Sequence, residues 1–496
     1  MALVNGEGPL DRALAAGWWA LLAAGLALFL CVAIGTLRYP HELVVSEAAV
    51  GIAARSLVEG VPPYTQARFE HPPYSILHYT PGYYLMVGPL IALTGSAFAA
   101  GRGVSVLFTL ATAGAAFAIA RRLSGSWRAG AAASLLWLSF YQVAFWGTAQ
   151  RVDAPGIFFE AMGLLVAVRA REAGRTPWLA LPWLVAAWSV KQITVVGLVA
   201  VAADLALRDR KRALAFAAAG LGSIAAIALA LDLASGGAFH RATVLGTISR
   251  AADPPWVILG NAELFFASPW NMLVFVLAAA GAVAARERLL GIALGFGLVF
   301  AVATDANFPR FYSPMLAMAV LLPLLLAKLR ERRAMTRGLL AALLLFGGSH
   351  VVYEMRPLVR ERILDARPGN ERLALAAGVA ARTSVASRIL AQDTGMILSA
   401  GRRVEVADPL VLSILAGNGA FDPRILADDV RAGRFDAIVL NRPLEAIDDR
   451  EWTTLWIAPV RGEIAARYRL AETLHCGQSW RFLEPDRYVY VPKDGA

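Results

Sequence analysis

Apolar stretches long enough to cross a bilayer recur from residue 17 to about residue 353, and they constrain this chain more than any other feature. A hydrocarbon core of about 30 Å needs roughly 20 helical residues at about 1.5 Å each. Runs near that length fall at 17–36, 98–120, 129–147, 152–169, 213–234, 264–285, 288–304, 310–328 and 336–353. The stretch 177–207 is longer but is interrupted by Ser189, Lys191 and Gln192, so it reads as two short helices meeting at a polar break. Composition agrees: 58% of residues are apolar and 17% are charged. That balance excludes a disordered chain and an ordinary soluble enzyme. The net charge of +10 therefore does not imply nucleic acid, because excess Lys and Arg in a membrane protein collects in cytoplasmic loops.

The first run is long for a signal-peptide core. Only Arg12 is basic before it, and no clear small-x-small cleavage site follows, so we read an uncleaved span. The two cysteines, Cys31 and Cys476, offer no disulfide framework, and no Cys/His cluster has zinc-site spacing.

Five basic clusters fix a topology. They are Arg121/Arg122/Arg128, Arg169/Arg171/Arg175, Arg208/Arg210/Lys211/Arg212, Arg286/Arg288, and Lys328/Arg330/Arg332/Arg333/Arg337. All five are cytoplasmic only if 177–207 crosses twice and the apolar stretch 82–95 does not cross. This predicts 11 spans in the inner (plasma) membrane, with the N-terminus cytoplasmic. Residues 38–97 become one outer loop with juxtamembrane helices inside a transmembrane domain at 1–354. Residues 355–496 carry frequent charges and short apolar runs, and should be exoplasmic. There Val385–Leu390, Asp436–Leu440 and Arg487–Val491 read as strands, and Asp422-Pro423 opens a helix to about Arg431. The expected fold is an all-α polytopic domain with a small C-terminal α/β domain.

Polar groups gather on the predicted outer face. They include Glu42, Glu47, Tyr64, His71, Arg102, Gln150, Arg151, Asp153, Lys191, Gln192, Asp305, Asn307, Arg310 and Tyr312. Each alone fits a solvated helix end or a packing ion pair. Together they put cations on the side that the positive-inside rule depletes, an arrangement suited to a lipid phosphate.

Several motifs carry a family resemblance. Ser46-Glu47, Glu59-Gly60 to Tyr64, His71-Pro72-Pro73 and Tyr79 to Tyr84 are similar to the first extracytoplasmic loop of GT-C glycosyltransferases. Arg151-Val-Asp153, Trp188 to Gln192 and Phe308 to Pro314 agree. So do Gln392-Asp393, Gly401-Arg402, Ala407-Asp408-Pro409 and Gly433 to Asp436 in the tail. Within this superfamily the chain resembles aminoarabinose transferases and protein O-mannosyltransferases. The resemblance implies inverting, single-displacement transfer of a sugar from a polyprenyl phosphate to an acceptor hydroxyl at the outer membrane face. The acceptor class covers envelope glycan, lipid and protein.

Family members carry an acidic pair where this chain has Ser46-Glu47, which leaves Glu47 as the motif carboxylate and Glu42 in reserve. The resemblance makes Glu47 the base. The competing reading of Glu47 is an acid at a helix N-terminus, favoured by the dipole and capped by Ser46. Lys191 and Arg310 are the best-placed groups for the donor phosphate. Gln192, Tyr312, Arg151, Asp153, Arg102, His71 and Tyr64 complete the candidate headgroup set. No cofactor and no metal ligand are assigned, and the chemistry leaves room for a divalent metal. Two other functions fit the same spans: a transporter or flippase of an anionic lipid, and a non-catalytic GT-C-like scaffold. The first should show inverted repeats with broken helices, and none is visible.

Overall fold

The computed structural model describes residues 8–44, 46–96, 98–245, 255–303, 308–364, 371–446, 456–475 and 486–493. Asp305, Asn307 and Cys476 lie outside this set. The chain divides into two compact units. The first comprises Met1–Thr36, Gly103–Ala225 and Ala252–Leu364; the second comprises Leu37–Arg102, Ala226–Ala251 and Asp365–Ala496.

The first unit is helical. Among the described residues, four helices are long and apolar enough to cross a membrane: Pro9–Arg38, Ala99–Ser124, Arg210–Ala234 and Arg333–Ile363. Shorter apolar helices follow the other predicted runs, but breaks fall inside several of them. The run at 129–147 is split at Phe140, whose extended backbone separates Trp127–Ser139 from Tyr141–Trp146. The run at 264–285 is split where Ser268 caps Pro269–Ala284, its hydroxyl accepting from the Asn271 N–H, after Pro255–Phe266 has ended. At 177–207 the break is where the sequence put it: helix Leu181–Val190 ends at Lys191, which is extended, and Val196–Ala206 begins anew.

The bundle centres on helix Tyr312–Lys328, in which every residue from Tyr312 to Leu325 is buried. Close crossings use small residues, as helix packing in lipid favours. A Cβ on Gly281 would lie 2.3 Å from the Leu321 carbonyl oxygen, and one on Gly25 would lie 2.6 Å from the Ser139 Cβ. By contrast Arg210–Ala234 buries only Ala213, Phe216 and Gly220, so its apolar surface faces outward.

The second unit joins the predicted outer loop to the tail. The apolar stretch that charge parity kept from crossing is a 13-residue helix, Gly82–Thr94, stopped by Gly95 at φ 68. It packs on Glu47–Val58 so closely that a Cβ on Gly88 would meet the Ala54 carbonyl oxygen at 2.6 Å. The tail sheet has the order β2-β1-β3-β5-β4, with β1 Arg388–Ala391, β2 Arg403–Val404, β3 Ala437–Leu440, β4 Tyr468–Leu474 and β5 Arg487–Pro492. Strand β1 runs parallel to β2 and β3, while β5 runs antiparallel to β3 and β4.

All three predicted strands are present, although the first begins at Arg388 and leaves Val385 exposed. Strand β3 is buried on both faces, which explains its unbroken apolar run. Helix Pro423–Arg431 has the predicted bounds, with the Asp422 carboxylate accepting from the Arg424 N–H. The same Asp-Pro start recurs at Asp408-Pro409. The loop enters the tail directly: the Tyr74 N–H donates to the Glu405 carbonyl at 2.8 Å, and the Ala407 N–H to the Tyr74 carbonyl at 3.1 Å.

Candidate functional site

In the second unit, Glu47 opens helix Glu47–Val58 and is fully buried. Its carboxylate takes two hydrogen bonds from Arg102, at 2.9 and 2.7 Å, and one from the Leu43 N–H at 2.7 Å. Arg102 also donates to the carbonyls of Tyr39 and His41 and lies 5.1 Å from the Phe98 ring centroid. This pair ties the start of the loop helix to the first turn of Ala99–Ser124. Ser46 does not cap the helix. It is left-handed at φ 76, and its hydroxyl donates to Asp408 Oδ2 at 2.9 Å. The dipole argument for Glu47 survives and the capping argument does not.

Glu42 is also buried. Its two oxygens accept from the Ala48 N–H at 3.0 Å and the Gly395 N–H at 3.1 Å. A Cβ on residue 395 would stand 2.1 Å from Glu42 Oε2, so glycine is required for that approach. Tyr64 is held by its hydroxyl, which donates to the Tyr79 carbonyl at 2.7 Å, and burial pushes its phenol pKa well above the ordinary value. His71 is exposed at the end of the short helix Ala67–Glu70. Among the described residues no group of three His, Cys, Asp or Glu side chains could hold a metal ion.

In the first unit, helix Asp153–Glu172 starts with an acid in its first turn, where the dipole favours it, and carries Pro155 where a missing N–H costs little. Gly156 lets this helix approach the break at Lys191, since a Cβ there would sit 3.2 Å from Thr194 Oγ1. Asp153 consequently meets Lys191. The Lys191 ammonium donates to Asp153 Oδ1, and Arg151 donates to Oδ2 at 3.3 Å. The Arg151 guanidinium also lies 5.3 Å from the Trp146 ring centroid.

A cleft of about 360 Å³, open space at its mouth included, is lined by Asp153, Lys191, Arg310, Tyr312, Ser313 and Ile157 among others. Arg310 is close enough to Lys191 to repel it. Tyr312 forms a buried wall, with its hydroxyl on the Gln142 carbonyl at 3.3 Å and its ring edge-on to Trp137. Gln192 is half-buried in the turn after Lys191. Lys191 and Arg310 line the cleft together with Asp153, and Arg151 joins them through its contact with Asp153. Such a cluster in a partly dry site is complementary to a phosphate.

Sequence reasoning passed over Glu160, which lies on the same helix face as Asp153 and Ile157 and is 1% exposed. Its signal was available, because an acid in the middle of a spanning run is itself unusual.

The fold is similar to that of solved GT-C glycosyltransferases. It matches ArnT from Cupriavidus metallidurans bound to undecaprenyl phosphate with a TM-score of 0.61 and 14% identity, over 97% of this chain and 98% of that one. The apo state of the same protein matches with a TM-score of 0.60 and 14% identity, over 96% and 98%. At the level of sequence family, residues 78–235 match the dolichyl-phosphate-mannose-protein mannosyltransferase family. No curated protein sequence matches. The GT-C resemblance thus rests on a family match over one stretch, which contains Arg102, Arg151, Asp153 and Lys191, and on a shared fold over nearly the whole chain.

Proposed function

We propose that this protein transfers a sugar from a polyprenyl phosphate to an acceptor hydroxyl at the outer membrane face, by a single inverting displacement. The observation that supports this most is the cationic cleft at the Lys191 break. In this reading Lys191 and Arg310 hold the donor phosphate. Asp153 fixes the direction of the Lys191 ammonium and of Arg151. As the bond to the anomeric carbon breaks, negative charge grows on the bridging phosphate oxygen, and preorganised cations stabilise it more than water does. Glu47 takes the acceptor proton, with Glu42 as the alternative base. For Glu47 to do so, one of its contacts with Arg102 or the Leu43 N–H must open. In the same reading the chain crosses the inner membrane 11 times, with residues 355–496 exoplasmic.

One observation favours a second reading. The oxygens of both loop carboxylates already accept protein hydrogen bonds, as expected of a non-catalytic GT-C-like scaffold. Transfer of labelled sugar from a polyprenyl-phosphate donor separates the two. Glu47→Gln should lower turnover roughly 10²–10⁴-fold with donor affinity little changed. Lys191→Ala or Arg310→Ala should weaken donor binding and slow turnover together. If Glu42→Gln is dead while Glu47→Gln is fully active, the two roles exchange. If both remain fully active, no carboxylate of this loop is the base.

A further inference from the structure

The tail sheet holds a second polar site. Strand β1 has β2 on one side and β3 on the other, both parallel to it, so the chain leaves β1 in one direction and returns to its opposite side. In open α/β sheets such a reversal opens a crevice outside the carboxyl ends of the two strands, and ligands bind there. Gln392 directly follows β1, and Asn441 directly follows β3. Gln392 Oε1 accepts from the Asn441 N–H at 2.6 Å. That bond fixes which way the amide points and leaves the Gln392 NH2 group without a partner among the described residues. The Asn441 side chain makes no hydrogen bond among them either, and its Oδ1 is buried. The usual structural reasons for asparagine after a strand are missing, since its backbone is not left-handed and its Oδ1 accepts from no turn amide. The loop is nevertheless fixed, because the Leu444 N–H donates to the Tyr490 hydroxyl at 2.9 Å. Gln392 and Asn441 are both half-buried, so solvent and ligand can reach them.

Two buried charges at this end of the sheet neutralise each other. Arg487, at the start of β5, donates to Asp393 Oδ2 at 2.6 Å, and Asp393 Oδ1 accepts from the Met396 N–H at 2.9 Å. The Gly395 N–H is taken by Glu42. Backbone donors that a phosphate would use are therefore occupied by carboxylates, and Gln392 with Asn441 supplies a neutral donor beside a neutral acceptor. A hydroxyl accepts and donates at once, so it satisfies both. We propose that the crevice at the carboxyl ends of β1 and β3 binds a neutral saccharide, whose hydroxyls accept from Gln392 Nε2 and donate to Asn441 Oδ1. The site lies within the second unit and does not rest on the donor-phosphate reading.

The test is saturation-transfer NMR and titration of the full chain with maltose, lactose and chitobiose, in a detergent without a sugar headgroup. At least one of the three should bind wild type. Gln392→Glu keeps the acceptor for the Asn441 N–H and removes the NH2 donors, and Asn441→Leu removes the acceptor. Each should weaken binding roughly tenfold, the scale of one hydrogen bond. Asn441→Leu should also melt no lower than wild type, because it removes a buried acceptor that has no protein partner. A structural asparagine would behave in the opposite way. The proposal is overturned if none of the three sugars binds, if both variants bind like wild type, or if Asn441→Leu melts lower while its binding is unchanged. Inorganic phosphate that binds in place of the sugars, and is lost in the same variants, also overturns it, since the site would then take an anion. If Asn441→Leu does not fold, Gln392→Glu decides alone: a tenfold loss supports the site and wild-type affinity sinks it.

Discussion

Asp153→Asn should be both the most destabilising single change in the cleft and the one that phosphate best repairs. Asp153 is the common partner of Lys191 and Arg151, with side-chain exposures of 2%, 5% and 8% for the three groups. Removing one member of a buried ion pair costs about 3–5 kcal/mol, mostly because the remaining charge is left uncompensated. Asp153→Asn removes a carboxylate contact from two cations, whereas Lys191→Met leaves Asp153 paired with Arg151. The first should therefore fall at the upper end of that range and the second at or below its lower end.

The same change removes one negative charge from the cleft lining. At about 6 Å and an effective dielectric constant of about 20, one unit charge contributes roughly 3 kcal/mol before salt screening. An anion should thus bind Asp153→Asn at least tenfold more tightly than wild type. Ligand at about 100 times its Kd adds roughly 2.7 kcal/mol, so undecaprenyl phosphate should recover much of the lost stability. The assay is thermal unfolding in detergent, with and without undecaprenyl phosphate, for wild type, Asp153→Asn and Lys191→Met. The reasoning is refuted if Asp153→Asn melts with wild type, or if phosphate stabilises all three equally.

Other expectations can be checked separately. Gly395→Ala places a methyl against Glu42 and should open the tail to proteolysis, and pairing it with Glu42→Ala should restore part of the protection. Burial pushes the Glu405 carboxyl above its ordinary value of 4.5, against the opposing pull of Arg403. Its contribution to stability is complete below 4.5 and is lost as pH rises through the raised folded-state value, so Glu405→Gln should flatten that decline in a pH series of melting curves. A cysteine at Gly95 should be labelled from the outer side, and labelling from the cytoplasm alone would contradict the charge-parity topology.

Much of the fold was legible because the bilayer makes local composition decisive. A spanning helix must satisfy its own backbone and present apolar side chains, and both demands are written in consecutive residues. The same holds for β3, whose four-residue apolar run needs only to be buried on both faces, and for the Asp-Pro helix starts, which are capped within one turn. The break at Lys191 was visible for the same reason: three polar residues interrupt an otherwise continuous run. The break at Phe140 was not visible, since the flanking sequence stays apolar, whereas the one at Ser268 carries a local signal that was passed over, an N-cap serine followed by a proline at the helix start.

The sequence by itself determined where the helices and several strands lie. Tertiary structure alone decided which charge meets which. Glu47 is matched by Arg102 55 positions away, Asp153 by Lys191 38 positions away, and Glu42 by the Gly395 amide 353 positions away. Strands β2 and β4 were missed for a related reason: β2 is two residues long, and the apolar spacing of β4 is weak until it pairs with β5. A buried charge is stable only with a partner at hydrogen-bond distance. That partner can come from any part of the chain that the helices bring near, so the pairing is a property of packing and not of spacing.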